Sequence, residues 1–185
     1  MDAAIQGSTA NGFALSLEAS VLARAQRGDA AAFEQVYRCY ARPAFGLALR
    51  ILGRAAEAED AVHDAFLRVF EKLGSFRGEA PFGAWVKRLV LNAAIDRLRA
   101  ERRREGDAEP IDTLRALRED PAPLLDAQGL LARLAPRARA VVWLHQMEGW
   151  SHPEIAARFG QSESWSKSML ARSLERLRQA QEESP

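Results

Sequence analysis

Apolar residues return along this chain at three- and four-residue intervals, the period that gathers them on one side of an α-helix. Leu17, Val21 and Ala25 mark a first helix that closes near Gly28. Asp29 is placed to cap a second, in which Phe33, Val36, Tyr37 and Tyr40 share the spacing. Pro43 predicts a kink or restart of that helix, because proline lacks the N–H that the preceding turn needs. From Ala44 to Leu52, the residues Phe45, Leu47, Ala48, Leu49, Ile51 and Leu52 surround most of the helix, the pattern of a buried central element that Gly53 ends. Between Ala55 and Leu73 the chain is two-faced: Val62, Phe66, Val69 and Leu73 lie on one side, and Asp60, Asp64, Leu67 and Glu71 on another. Gly74 to Ala80 reads as loop, and Pro81 suits the first turn of a long helix running to Arg104.

Beyond that helix the pattern lapses. The stretch EGDAEPIDTLRALREDPAP is charged, proline-interrupted and too poor in apolar surface for a core, so residues 105–123 are expected to be a flexible linker. Helical order resumes with Leu124, Leu125, Leu130, Leu131 and Leu134, and Pro136 starts a further helix packed by Val141, Val142, Leu144 and Met147. Ser151 and Glu154 form the Ser-x-x-Glu capping box of a short helix running through Ile155 and Phe159 to Gly160. Ser162 caps the last helix, with Leu170, Leu174 and Leu177 inward and Lys167, Arg172, Arg176 and Arg178 outward. Two helices joined by a short glycine-containing turn have the outline of a helix-turn-helix. Residues 1–16 are small and polar, so a mobile leader is expected. The prediction is an all-α chain: two small helical domains, residues 17–104 and 124–180, joined by a linker, the second a helix-turn-helix.

Composition narrows the function. A chain of 185 residues is long enough for two small domains, each with its own core. The net charge of +1 excludes a polycation, yet arginines gather at Arg97, Arg99, Arg102, Arg103 and Arg104 and again at Arg172, Arg176 and Arg178. Local charge of this kind binds phosphate. The lone Cys39 allows no internal disulfide, and His63, His145 and His152 lack metal-ligand spacing, so no metal or cofactor is expected and a reducing cytoplasm is the expected compartment. The N-terminal residues lack the basic start and apolar run of a signal peptide, and no stretch of about 18 apolar residues could span a membrane. No paired histidine and carboxylate, Ser-x-x-Lys, phosphate-cradling glycine loop or Cys/His cluster supplies reacting groups, so an enzyme is not expected.

The stretch from Ala58 to Arg104 carries most of the candidate chemistry, and each of its parts is open to two readings. Asn92, Asp96, Arg99 and Arg103 share one helical face beyond Trp85 and Leu89; a carboxylate among arginines fixes phosphate-binding rotamers, but cations also suit any helix C-terminus. Phe76, Phe82 and Trp85 beside arginines fit stacking on unpaired bases, at about 1–3 kcal/mol per base, or simply core packing, with Phe82 the best candidate for core. The acidic stripe Asp60, Asp64 and Glu71 with Leu67 fits a basic partner helix or a solvated face. At the other end, Glu163 to Lys167 would meet base edges if the last helix enters a major groove, or would close a helical hairpin if it does not.

Taken together, RAQRGDAAAFEQVYRCY, AEDAVHDAFLRVF, SFRGEAPFGAWVKRLVLNAAIDRLRAERRR and EGWSHPEIAARFGQSESWSKSMLARSLERLR closely resemble, in order and spacing, bacterial RNA polymerase sigma factors of the extracytoplasmic-function (ECF) class. The resemblance covers about Leu22 to Arg178. It implies a promoter-recognition subunit without catalysis that binds core RNA polymerase, directs it to promoters and helps melt the DNA. By this similarity Asp60, His63, Asp64 and Leu67 face the clamp helices of the polymerase largest subunit. The loop from Ser75 to Ala80, with Phe76, Arg77 and Asn92, receives a base flipped from the non-template strand of the minus-ten element, and Asp96, Arg97, Arg99, Arg102 and Arg103 hold the adjoining DNA. Ser164, Trp165, Lys167, Ser168 and Arg172 read the minus-thirty-five element. The resemblance also implies inhibition by an anti-sigma protein.

In one place the chain departs from that pattern. Where such proteins commonly show Gly-Thr-Val-Lys-Ser-Arg, it has Ser164, Trp165, Ser166, Lys167, Ser168 and Met169, which puts a bulky aromatic and an inward hydroxyl at the recognition helix and removes an arginine. A repressor working without polymerase is the rival reading; it keeps the helix-turn-helix but has no use for an acidic partner face. A helical adaptor that binds only proteins would need neither arginine cluster.

Overall fold

A computed structural model of the chain describes residues 12–15, 17–105 and 127–182. Among these residues the regular structure is entirely helical. Helices α1 (Ala19–Gln26), α2 (Ala30–Leu52) and α3 (Ala55–Lys72) are followed by a 3-10 turn (Leu73–Ser75) and the long α4 (Phe82–Glu105). Then come α5 (Ala127–Ala132), α6 (Pro136–Gln146), α7 (His152–Phe159) and α8 (Glu163–Glu182). The chain divides into two compact units, residues 1–49 with 54–94, and residues 50–53 with 95–185. The linker expected at 105–123 lies almost wholly outside the described residues, as do Leu124 and Leu125.

In the first unit, α1 ends as its glycine demands: Gly28 has φ +88°, a left-handed conformation that costs a residue without a β-carbon little. Asp29 then caps α2, its carboxylate accepting the Ala32 N–H at 3.1 Å and pairing with Arg24 at 2.8 Å. That N–H first, and the guanidinium second, hold the Asp29 carboxyl below its usual range. On α2 the aromatic positions 33, 37 and 40 fall on one stripe. Phe33 meets Phe70 of α3 edge-on at 5.1 Å, Tyr37 meets Phe66 of α3 at 4.7 Å, and Tyr40 meets Phe82 of α4 at 5.7 Å. Val62, Phe66, Val69 and Leu73 are all buried, so the predicted apolar face of α3 is its core face.

Two expectations for this unit are corrected. Pro43 does not restart the helix, since α2 runs unbroken from Ala30 to Leu52; of the expected kink or restart, the restart is the one overturned. A proline inside a helix costs about 3 kcal/mol, and burial of Tyr40, Ala44, Leu47, Ala48 and Ile51 around it offsets that loss. Nor is the whole leader loose: Phe13 is only 6% exposed and the Tyr40 hydroxyl donates to the Leu15 carbonyl at 2.7 Å. A smaller shift concerns Pro81, which stands just before the helix, its carbonyl accepting the Trp85 N–H at 3.1 Å.

The second unit contains the helix-turn-helix, and its caps follow the sequence closely. Pro136 takes the first helical position of α6. At α7 the capping box is complete, with Glu154 accepting the Ser151 N–H at 2.8 Å and Ser151 accepting the Glu154 N–H. Gly160 closes α7 with φ +64°, and the Ser162 hydroxyl accepts the Trp165 N–H at 3.1 Å to begin α8. Val141, Leu144, Ile155, Phe159 and Leu170 are buried between these helices, as is Leu134 just beyond α5. Leu174 and Leu177 are half-buried. Met147, expected to pack α6, is 41% exposed, because α6 ends at Gln146 and the chain turns toward Gly149.

Substitution Ser151→Ala removes one reciprocal bond of the box and leaves the Glu154 N–H without its cap. The expected loss is about 1 kcal/mol from the unfolding transition of this unit, read by urea titration with circular dichroism; an unshifted midpoint would show that the box does not stabilise α7.

Candidate nucleic-acid interface

The loop between α3 and α4 is held from two sides. Gln26 at the end of α1 donates its amide N–H to the Phe76 carbonyl at 3.0 Å, and the Ser75 hydroxyl donates to the Lys72 carbonyl at 2.8 Å. On the other side, Phe76 contacts the rings of Phe82 and Trp85, each at 5.2 Å, and Phe82 and Trp85 meet at 5.5 Å. All three rings are half-buried, so Phe82 is not the core residue expected of it. It lies at the helix start, where one side faces the loop. Gly78, with φ +74°, turns the chain, and Arg77 is exposed in the loop, with Asn92 half-buried two turns along α4 from Trp85. Half-buried stacking aromatics, with a cation next to them in the loop, can accept a planar base.

Farther along α4, Asp96, Arg97, Arg99 and Arg102 are half-buried and Arg103 is exposed. Within the second unit Asp96 pairs with Arg158 of α7 at 2.7 Å, and Arg99 donates to the Arg158 carbonyl at 3.3 Å.

On α3, Asp60 and His63 are exposed and Asp64 is half-buried. Leu67 is 50% exposed, and it is not the only bare apolar group: Phe70 is 60% exposed and Tyr37 on α2 is 45% exposed. Sequence reasoning took Leu67 and passed over Phe70, although Phe70 stands off the Val62, Phe66, Val69 and Leu73 stripe and so had no core position to fill.

At the start of α8, Ser162, Ser164, Trp165, Ser168, Ala171 and Arg172 line an open groove of about 530 Å³. Four of the five residues expected to read the minus-thirty-five element are therefore together. Lys167, the fifth, is exposed on α8 and pairs with Glu163 at 2.7 Å. Trp165 is half-buried, its ring 5.4 Å from Phe159, with the Arg137 guanidinium 5.0 Å over its centroid. Arg137 was not singled out from the sequence, since a residue so far away along the chain gives no local sign of stacking on Trp165. The inward hydroxyl of Ser166 is fully buried and lies 3.0 Å from His152 Nδ1.

His152 in turn stacks on His145, ring centroids 4.5 Å apart, and His145 donates from Nδ1 to the Trp150 carbonyl at 2.8 Å. Burial first, then the nearby His145 and Lys167, push the His152 pKa below its ordinary value, while Glu163 opposes them.

A bundle unit joined in one chain to a helix-turn-helix, with aromatic, arginine-rich and groove-forming surfaces, defines a DNA-binding transcription protein. Residues 36–104 match the family Sigma-70 region 2, and residues 124–177 match Sigma-70, region 4. The chain is 35% identical over 164 residues to the ECF RNA polymerase sigma factor SigM of Mycobacterium tuberculosis, an alignment covering 86% of this chain and 82% of that protein. It is 32% identical over 149 residues to the RNA polymerase sigma-H factor of Pseudomonas aeruginosa, covering 72% of this chain and 77% of the other. The sigma factor RpoE of Bartonella quintana, solved in complex with the anti-sigma factor NepR, shares the fold, with a TM-score of 0.50 at 22% identity over 83% of this chain and 98% of that one. The chain belongs to the ECF family of RNA polymerase sigma factors and acts in transcription initiation; the polymerase-independent repressor is not supported. No helix among the described residues is long and apolar enough to cross a membrane.

His152 sets a pH dependence. A lowered folded-state pKa means that the unfolded chain takes up the proton first as pH falls, so this contribution to stability is present above the unfolded value of 6.5 and lost as pH drops through the folded one. Between about pH 7.5 and 5.5 the melting temperature of the wild type should fall more than that of His152→Gln; equal slopes would remove His152 from the balance.

Proposed function

We propose that promoter recognition in this sigma factor is divided among three surfaces. Residues 17–104 bind core polymerase and the minus-ten element, residues 124–180 bind the minus-thirty-five element, and residues 105–123 connect them. The protein works in the cytoplasm as a non-catalytic subunit. On α3, Asp60, His63, Asp64 and Leu67 meet the polymerase, where a complementary basic helix gains from the carboxylates and covers the apolar side chains. Phe70 and Tyr37 extend that surface. An anti-sigma protein would compete for such a face; the Bartonella sigma factor RpoE forms a complex of this kind with the anti-sigma factor NepR.

The observation that carries the melting role is the mutual contact of Phe76, Phe82 and Trp85, with Arg77 next to Phe76 in the loop. Flipping a base out of the stack costs a few kcal/mol. A preformed aromatic wall returns part of that by stacking, and Asn92 supplies a donor and an acceptor for a base edge. Arg97, Arg99, Arg102 and Arg103 then neutralise adjoining phosphates, while Asp96 is paired with Arg158. In the upstream element, Trp165 offers an apolar face to a thymine methyl, Ser164 and Ser168 offer hydroxyls, and Lys167 and Arg172 contact phosphate or guanine.

Two substitutions test the division. Asn92→Ala should lower open-complex formation, read by permanganate reactivity of minus-ten thymines, by about tenfold while core binding is unchanged; normal opening would make the pocket assignment wrong. Trp165→Ala should change the order of preference among upstream-element variants in a competition assay, whereas an unchanged order would leave Trp165 with packing alone.

A further inference from the structure

The aromatic contacts of the minus-ten loop do not stop at Trp85. Phe82 touches Tyr40 at 5.7 Å, and Tyr40 stacks on Phe13 at 6.2 Å with the ring planes 16° apart. A continuous run of rings thus links the N-terminal segment to Phe76. The segment is fastened by polar contact as well, through the 2.7 Å bond from the Tyr40 hydroxyl to the Leu15 carbonyl. Burial, with the neighbouring Cys39, pushes the Tyr40 hydroxyl up to about 12, so it stays protonated as a donor. On α4 the backbone makes room for the segment: Gly83 is buried, and a β-carbon there would overlap the Phe13 carbonyl and stand 3.1 Å from the Tyr40 ring.

We propose that residues 12–15 act as a strap for the base-capturing loop, with Phe13 a positioning residue that fixes Phe82, and through it Phe76, by way of Tyr40. The proposal rests on the reading of Phe76 and Asn92 as the base pocket. Phe13 itself is covered and does not meet DNA. Its effect is to remove the freedom of Tyr40 and Phe82 to rotate away, so that the wall is already formed when the base arrives. Gln26 holds the backbone of the same loop from the opposite side, which leaves the rings as the part the strap determines.

The test uses holoenzyme assembled with core polymerase and a labelled single strand carrying the non-template minus-ten sequence of a promoter it transcribes. A single abasic nucleotide is stepped through the element. Wild type should lose about tenfold in affinity at the position whose base is captured. Phe13→Ala, and Gly83→Ala by expelling the strap, should bind the intact strand about tenfold more weakly, bind the abasic strand as wild type does, and so show no abasic penalty. Phe13→Leu, which keeps most of the buried volume, should recover most of the penalty. If Phe13→Ala keeps the full penalty, or weakens intact and abasic strands by the same factor, the strap has no positioning role while the pocket stands. If wild type shows no penalty at any position, the pocket reading fails and the strap with it.

Discussion

Three aromatic side chains on one stripe of α2 set the geometry of the first unit. Phe33 and Tyr37 engage Phe70 and Phe66 of α3, and Tyr40 engages Phe82 at the start of α4. Each ring contact adds about 0.5–1.5 kcal/mol beyond the area it buries, and each has a preferred orientation. A single helix therefore engages the last turns of α3 and the first residue of α4, and helps set which way each faces. Because Phe66 is drawn inward, the opposite side of α3 is left to Asp60, His63 and Leu67; because Phe82 is drawn to Tyr40, the loop before it closes Phe76 onto Trp85. The surface proposed for polymerase and the pocket proposed for DNA both follow from one aromatic stripe.

The second unit reaches the same end by other means. Its helices are short, and α7 spans only eight residues, too few to persist in isolation. Caps at Ser151, Gly160 and Ser162 satisfy their terminal groups, and burial of Ile155, Phe159 and Leu170 supplies the rest. Trp165 takes part in both tasks, packing on Phe159 while lining the groove with Ser164, Ser168 and Arg172. The departures from the common recognition-helix pattern are thus not isolated changes: the serine at 166 is sealed against His152, and the tryptophan at 165 carries the Arg137 guanidinium.

What could be read from the sequence was local. Apolar spacing located the buried face of α3, the cap at Asp29, the capping box at Ser151 and the turn at Gly160, since each depends on residues within one or two helical turns. What failed depended on distant partners. Pro43 has no nearby sign that surrounding burial will keep α2 intact, and Phe13 sits in a polar segment whose seat is created by Gly83, far along the chain. Met147 had the right spacing but lies just past the last turn of α6. Among the candidate site residues, composition and spacing alone left each surface open to a structural reading, and it was their order along the chain, with matches to two sigma regions, that identified the family.

The central claim is that this chain confers promoter choice on a polymerase. Run-off transcription with purified bacterial core enzyme on a set of genomic promoter fragments tests it most directly. Addition of the protein should produce transcripts with defined start sites on a subset of fragments that core enzyme alone leaves silent. Binding to duplex DNA with no association with polymerase, and no new start site on any fragment, would contradict it.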